Sequence, residues 1–249
     1  MNCDILTWKK NKSFSNLQAK ARENRYKLIF NKCLKNKVNI VLTAHHKDDL
    51  YENFFIRLLR GSGLKGLSSF KSSKTKINKN LNVYIVRPLL NISKKDLSFI
   101  TRNTFNFYVK DSSNENDNFL RIKVRKLINK LEQFGLTFEK FKLTLENLNK
   151  SDESIEFYVK KNIDENTNLL IKKKSIIIKE NFFNQPEEVS FRSLSRLIHN
   201  FGNKKNYARG KKILSLHNDI KFNQNFKKKT LSGCIIEKVN KSIIISNEI

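Results

Sequence analysis

The sequence predicts an α/β fold: an incomplete parallel sheet with helices over residues 1–126, followed by a smaller, mostly helical domain over 127–249. Three observations predict it. Strand-like and helix-like periodicities alternate through the first half, which is the pattern of parallel sheets with helical crossovers. The apolar run Ile40–Val41–Leu42 ends at Thr43 and runs directly into His45, His46, Asp48, Asp49 and Glu52, and open α/β sheets keep their sites at the carboxyl ends of strands. Beyond residue 126 the spacing turns helical from Leu127 to Val159.

The elements follow in order. Asp4–Trp8 is a short apolar segment and reads as a strand. Asn16–Leu34 reads as a helix with Leu17, Ala21, Leu28 and Ile29 on its inner side. Asn39–Thr43 reads as a buried strand. Lys47–Arg60 reads as a helix in which Phe54 with Leu58, and Phe55 with Leu59, are i,i+4 pairs. Lys71–Asn80 is polar and basic, as a mobile loop would be. Val83–Val86 is a strand ending at Arg87-Pro88, and Ser93 with Asp96 resembles a capping box opening the next helix. In the second half, Leu169–Ile178 and Ile235–Ile245 read as short strand pairs, the latter turning at Asn240-Lys241. Phe191, Leu194, Ile198 and Phe201 form one helix face.

Composition narrows the partners. Lys and Arg number 50 against 23 Asp and Glu, a formal charge of +27, which favours a polyanion, and nucleic acid first among them. Cys3, Cys33 and Cys234 are scattered without a C-x-x-C pair, so no zinc or iron–sulfur site is indicated and a reducing compartment is. No apolar run reaches membrane-spanning length, so no membrane partner is expected and the cytoplasm is.

Asp48, Asp49 and Glu52 gather near the first turn of one helix, where acids also suit the helix dipole. Capping explains such acids too, but two adjacent imidazoles make a titratable cluster that costs stability unless used or paired. Gly61, Gly63 and Gly66 spell G-x-G-x-x-G, yet the dinucleotide fingerprint opens a helix and this one follows a helix. Gly61 reads as a helix end, with Arg57 and Arg60 on the rim of a turn that phosphate can approach. Asp111-Ser112-Ser113-Asn114 precedes Arg121 and Arg125, a fork at i,i+4 suited to phosphate or carboxylate, or to a solvated basic face.

Together these runs resemble the tRNA(Ile)-lysidine synthetases of the PP-loop ATP pyrophosphatase superfamily (adenine nucleotide α-hydrolase-like fold). Ala21-Arg22 with Arg25-Tyr26 is similar to the family's A-R-x-x-R-Y helix. Thr43–Glu52 is similar to T-A-H-H-x-D-D-Q-x-E-T, with Leu50 for Gln and Asn53 for Thr. Arg57–Leu67 is similar to R-L-x-R-G-S-G-L-x-G-L, and Arg87–Leu90 to R-P-L-L. Asp111, Ser113, Asn114, Arg121 and Arg125 are similar to D-x-S-N…R-N-x-I-R, with Ile122 where Asn is usual. Weaker echoes reach Tyr207–Arg209 and Thr230–Cys234.

The resemblance implies an ATP-dependent ligase that adenylates C2 of cytidine 34 in the CAU anticodon of tRNA(Ile), with Mg²⁺ accompanying ATP. L-lysine then displaces AMP. It places His45, Asp49 and Arg121 in catalysis, and His46, Asp48, Glu52, Arg57, Arg60, Asn114 and Arg125 in substrate or phosphate binding. It makes 127–249 a tRNA-binding or linker domain, and a homodimer is compatible with it. The family's S-G-G-x-D-S phosphate loop has no counterpart in this sequence. The expectation is therefore a chain lacking the family's first strands, from truncation, a misplaced start or degeneration, and weak in ATP binding. A 2-thiocytidine-type enzyme would need cysteine pairs that are absent. An inactive basic RNA-binding remnant is the alternative.

Overall fold

The computed structural model describes residues 3–8, 17–68, 74–78, 81–107, 120–170, 175–202 and 207–248. They divide into two compact units, Met1–Glu146 and Asn147–Ile249. The division falls within a long helix, whereas residue 126 falls within the helix before it.

The first unit runs α1 (Leu17–Lys35), β1 (Ile40–Leu42), α2 (Lys47–Leu59), α3 (Leu64–Leu67), β2 (Lys74–Asn78), β3 (Leu81–Val86), α4 (Lys94–Phe105), α5 (Leu120–Gln133) and the start of α6 (Phe138–Asn166). Its sheet has the order β1-β3-β2. β1 and β3 are parallel, with Ile40 opposite Tyr84 and Leu42 opposite Val86, and β2 is antiparallel to β3. The parallel pair brings two strand ends together, and Thr43 N–H donates to the Val86 carbonyl there at 2.9 Å.

Three expectations change. Residues 3–8 form neither helix nor strand; Ile5 is exposed, and the Asp4 carboxylate instead meets Lys32 Nζ on α1 at 3.0 Å. The apolar run of β1 is not buried, since Ile40 is 48% and Leu42 68% exposed. β1 is an edge of the described sheet, so only part of each side chain finds a neighbour. Within the expected loop Lys71–Asn80, Lys74–Asn78 is strand β2; the rest lies outside the described residues. A Lys-Thr-Lys run hides a strand from hydrophobic periodicity, and lysines suit an edge.

Packing of the first unit centres on α2. Tyr51, Val124, Ile128 and Phe141 are buried together, with Phe54, Phe55 and Phe138 against them. Tyr51 and Phe141 stack with centroids 4.3 Å apart. The inner side of α2 is therefore Tyr51, Phe54 and Phe55, while Leu58 and Leu59 stay exposed. α2 ends in a 6→1, 5→2 pair of bonds: Ser62 N–H to the Arg57 carbonyl at 3.0 Å and Gly61 N–H to Leu58 at 2.9 Å. Gly61 has φ +69°, the left-handed conformation this ending requires. α4 opens as expected, with Asp96 N–H donating to Ser93 Oγ at 3.1 Å.

The second unit contains the rest of α6, then β4 (Thr167–Leu170), β5 (Ser175–Ile178), a 3-10 turn (Glu180–Asn184), α7 (Glu187–Phe201), α8 (Gly210–Phe222), β6 (Lys228–Leu231), β7 (Cys234–Val239) and β8 (Ser242–Asn247). Both expected strand pairs form. They join with β6 in one antiparallel sheet, β4-β5-β8-β7-β6. Ile176, Ile178, Ile236, Ile243 and Ile245 alternate onto one face and bury against Leu194, Ile198, Ile213 and Leu216. Asn240, at the expected turn, has φ 53°. Among the described residues no helix is long and apolar enough to cross a membrane.

Two polar features lie inside this unit. Arg192 is buried and held by Asp152 at 2.7 Å and Glu188 at 2.6 Å, which ties α6 to α7. His217 is buried on α8 and shares a 2.8 Å hydrogen bond with Ser190 Oγ on α7. Burial pushes the His217 pKa below its usual 6.5; Asn218 and Glu187 oppose that and Lys221 adds to it. The unfolded chain then takes up a proton that the folded chain refuses. The His217 contribution is intact above about pH 6.5 and is lost as the pH falls through that value toward the lowered folded pKa. Between pH 7.5 and 5.5, the urea midpoint of His217→Gln should fall less than that of the parent; equal falls would remove His217 as the cause.

Candidate functional site

The site is built at the carboxyl ends of β1 and β3. Thr43 ends β1, and its Oγ1 lies 2.8 Å from His45 Nδ1 in a shared hydrogen bond. His46 is the N-cap of α2, in extended conformation. Its N–H donates to Asp49 Oδ2 at 3.0 Å, the return half of a capping box. His46 Nδ1 is 3.2 Å from Asp48 Oδ2, and Nε2 is 3.7 Å from Asp49 Oδ2. Asp48 turns to a different helix, accepting from Lys94 N–H at the start of α4 at 2.7 Å. Lys47 N–H donates to the Ile92 carbonyl at 3.0 Å, so the openings of α2 and α4 are fastened together beside the strand ends.

Glu52 lies one turn along α2 and is 2% exposed. Its Oε1 accepts from Arg125 Nε at 2.5 Å, and Arg121 Nε is 3.7 Å from Oε2. Both arginines come from α5, as the i,i+4 fork requires. The Arg125 guanidinium is committed to this buried carboxylate, while Arg121 remains 64% exposed.

His45 reports the field of the site. Burial lowers its pKa from the usual 6.5; Asp49 raises it; Arg87, Arg22 and Arg121 lower it further. The charges of one carboxylate and of three guanidinium groups, from α1, the end of β3 and α5, therefore reach this imidazole. Arg87 is itself buried, and burial followed by the neighbouring charge of Arg22 lowers its pKa, with Tyr26 opposing. In the sequence Arg22 and Arg87 stand out only as motif residues, with no part in the site. The available signals were the i,i+4 pair Arg22–Tyr26 and an arginine directly after a strand.

His45, His46, Asp48 and Asp49 are therefore gathered, with Glu52 beneath and Arg121 and Arg125 delivered from far along the chain. Arg57 and Arg60 are not brought to the cluster. Arg57 is eight residues beyond Asp49, about 12 Å along α2. Its guanidinium donates to Asn53 Oδ1 at 2.8 Å and to the Gly66 carbonyl at 3.1 Å. That fastens the glycine turn to the helix. Asn114 lies outside the described residues.

Among the described residues no three His, Cys, Asp or Glu side chains are grouped to hold a metal ion. Asp48, Asp49 and Glu52 each already accept from a donor named above. This donor set does not fit a cage for Mg²⁺, which needs near-octahedral oxygens. What the arrangement offers is a carboxylate for a cation, an imidazole weak in proton affinity, and guanidinium groups for an anion.

The model of the PP-loop domain matches residues 1–132, and the chain belongs to that family. Its relatives include a "tRNA(Ile)-lysidine synthase" of Wolbachia pipientis wMel, 31% identical over 244 residues, covering 98% of this chain and 56% of that protein. The protein of the same name from Rickettsia typhi is 34% identical over 241 residues, covering 95% of this chain and 53% of its own length. That of Rickettsia conorii is 42% identical over 129 residues, 51% of this chain and 26% of that protein. The chain spans about half the length of the curated relatives it matches along its whole extent.

Removing the buried anchor tests the construction. Glu52→Ala leaves Arg125 without its carboxylate beside an apolar core. A fully buried pair broken on one side costs ~3–5 kcal/mol, and the part-exposed Arg125 reduces this to about 2 kcal/mol. Urea unfolding should show that loss, and Arg121→Ala, at an exposed position, should cost under about 1 kcal/mol. Equal costs would mean Glu52 is not the anchor.

Proposed function

We propose that the chain serves as the anticodon-modifying part of a tRNA(Ile)-lysidine synthase. The observation that carries this reading is the placing of His45, His46, Asp48 and Asp49 at the opening of α2, beside the ends of β1 and β3, within a chain similar to lysidine synthases along nearly all its length. In the reaction, ATP adenylates the C2 oxygen of cytidine 34 in the CAU anticodon and diphosphate leaves. The ε-amine of L-lysine then attacks C2; the C2–O bond breaks, AMP departs and a C2–N bond remains. The amine reaches the site as an ammonium and must lose a proton before it attacks.

Asp49 holds that ammonium. His45, whose lowered pKa keeps it neutral near pH 7, accepts the proton. Arg121, the exposed member of the α5 fork, meets the phosphate of the adenylated intermediate, with Arg22 and Arg87 adding to the positive field. Asp48, His46, Glu52 and Arg125 hold these groups in place. ATP is a substrate here, and Mg²⁺ arrives with it, bound by its phosphates.

The formal charge of +27 also suits a second reading, an RNA-binding module without chemistry. One experiment separates the two. The chain is fused at its N-terminus to the phosphate-loop segment of a relative, then incubated with ATP, L-lysine and a CAU tRNA(Ile) transcript. Mass spectrometry should find lysidine at position 34. Asp49→Asn, which keeps shape and loses charge, should cut the rate by about 10²-fold or more with the fold intact. A fusion that binds the transcript and never modifies it supports the second reading; parental rates in Asp49→Asn overturn the role given to Asp49.

A further inference from the structure

A base needs a bare nitrogen, and an imidazole has two to choose from. The hydrogen bond made by one nitrogen decides whether the other carries the proton. In this site Thr43 Oγ1 lies 2.8 Å from His45 Nδ1. The backbone is fixed on both sides of that ring. Thr43 N–H donates to the Val86 carbonyl at 2.9 Å, which pins Thr43 to the end of β3. His46 N–H donates to Asp49 Oδ2 at 3.0 Å, which pins His46 to the first turn of α2. His45 stands between two anchored residues, so its remaining freedom is rotation of the side chain. The Thr43 hydroxyl stops that rotation at Nδ1 and leaves Nε2, at the tip of the ring, for a ligand.

A hydroxyl can donate or accept, and the two states of the ring decide between these. A ring that has taken up a proton carries N–H on both nitrogens, so Nδ1 must then donate to Oγ1. If Nδ1 donates in the neutral ring as well, proton uptake at Nε2 needs no turn of the hydroxyl and no change of tautomer. A hydroxyl donating to Nδ1 would put the neutral ring's only proton on Nε2 and block it. The charge of the partner matters too. An acid orients the imidazole of hydrolytic triads and stabilises its charged form. Here Asp49 on α2 already favours the charged ring, while Arg22 on α1, Arg87 after β3 and Arg121 on α5 oppose it. A hydroxyl orients the ring and adds no charge to that balance.

We propose that Thr43 is a positioning residue: its Oγ1 accepts from His45 Nδ1–H and so keeps the Nε2 lone pair bare for an incoming proton. The delivery of that proton by an ammonium group rests on the lysidine reading. The tautomer does not, because it belongs to the free protein.

The test is NMR of the full chain with nitrogen-labelled histidine and no substrate. Couplings to the ring C–H protons tell a protonated nitrogen from a bare one, and His45→Asn assigns the signals. In the neutral ring, above about pH 7, the proton should sit on Nδ1 of His45. Thr43→Ser keeps the hydroxyl and should keep the proton there. Thr43→Val keeps the branched shape without the hydroxyl, and should give a mixture of tautomers. It should also lower the His45 titration midpoint by about half a pH unit, because the lost bond is stronger to the charged ring than to the neutral one. A proton on Nε2 in the parent overturns the proposal. So does a parental tautomer in folded Thr43→Val, or a midpoint that rises there. If Thr43→Val does not fold, the parent and Thr43→Ser decide, and loss of the Nδ1 proton in Thr43→Ser overturns the proposal as well. An Nδ1 proton in a fused chain that never forms lysidine upholds the role of Thr43 and counts against the lysidine reading alone.

Discussion

Taking a carboxylate out of water costs several kcal/mol unless a cation and hydrogen bonds replace the lost solvation, and Glu52 meets that condition at Oε1 through Arg125, with Arg121 Nε 3.7 Å from Oε2. The first unit is organised by this requirement. Glu52 and Tyr51 are neighbours on α2, one buried against guanidinium groups and the other against Phe141 and Phe138. Charge satisfaction and aromatic packing therefore draw α5 and the start of α6 to the same side of α2. The Tyr51 hydroxyl is so far removed from water that its pKa is pushed up to about 12, with Glu132, Glu139 and Asp48 adding to the effect of burial. Because α5 is fixed in this way, Arg121 reaches the field of His45.

Much of this was legible along the chain, and the limit is set by distance. The β1 strand, the α2 helix, the Ser93 cap and the Gly61 ending are local, so spacing and turn chemistry reveal them. His45, His46, Asp48 and Asp49 are within five positions and could hardly fold apart. Arg22 and Arg87 are 65 positions apart in sequence, and only the tertiary fold places both around one imidazole. The misreadings have the same origin. Ile40 and Leu42 look like core residues because periodicity measures hydrophobicity and is blind to whether a neighbour strand is present. Lys74–Asn78 pairs with β3 through backbone bonds that its polar side chains do not announce.

Glu52 also shows how a motif residue divides from its motif. Five acids and imidazoles in one short run look equivalent on paper. In the fold, Asp48 caps α4, Asp49 caps α2 and faces His45, and Glu52 is sealed against α5. The same residue type performs three physical tasks within one and a half helical turns.

The fastening of α2 to α4 has an electrostatic consequence. Each helix opens with a positive end, worth roughly half a unit charge, and both point toward the same few ångströms around Asp48 and Asp49. The two carboxylates neutralise that double source of positive potential. A cation accepted by Asp49 cancels one of those negative charges and leaves the helix ends, together with Arg22, Arg87 and Arg121, with less to balance them. Occupancy by a positive group thereby sharpens attraction for a negative one, so that two ligands of opposite sign reinforce each other through a shared field, without any movement of the backbone.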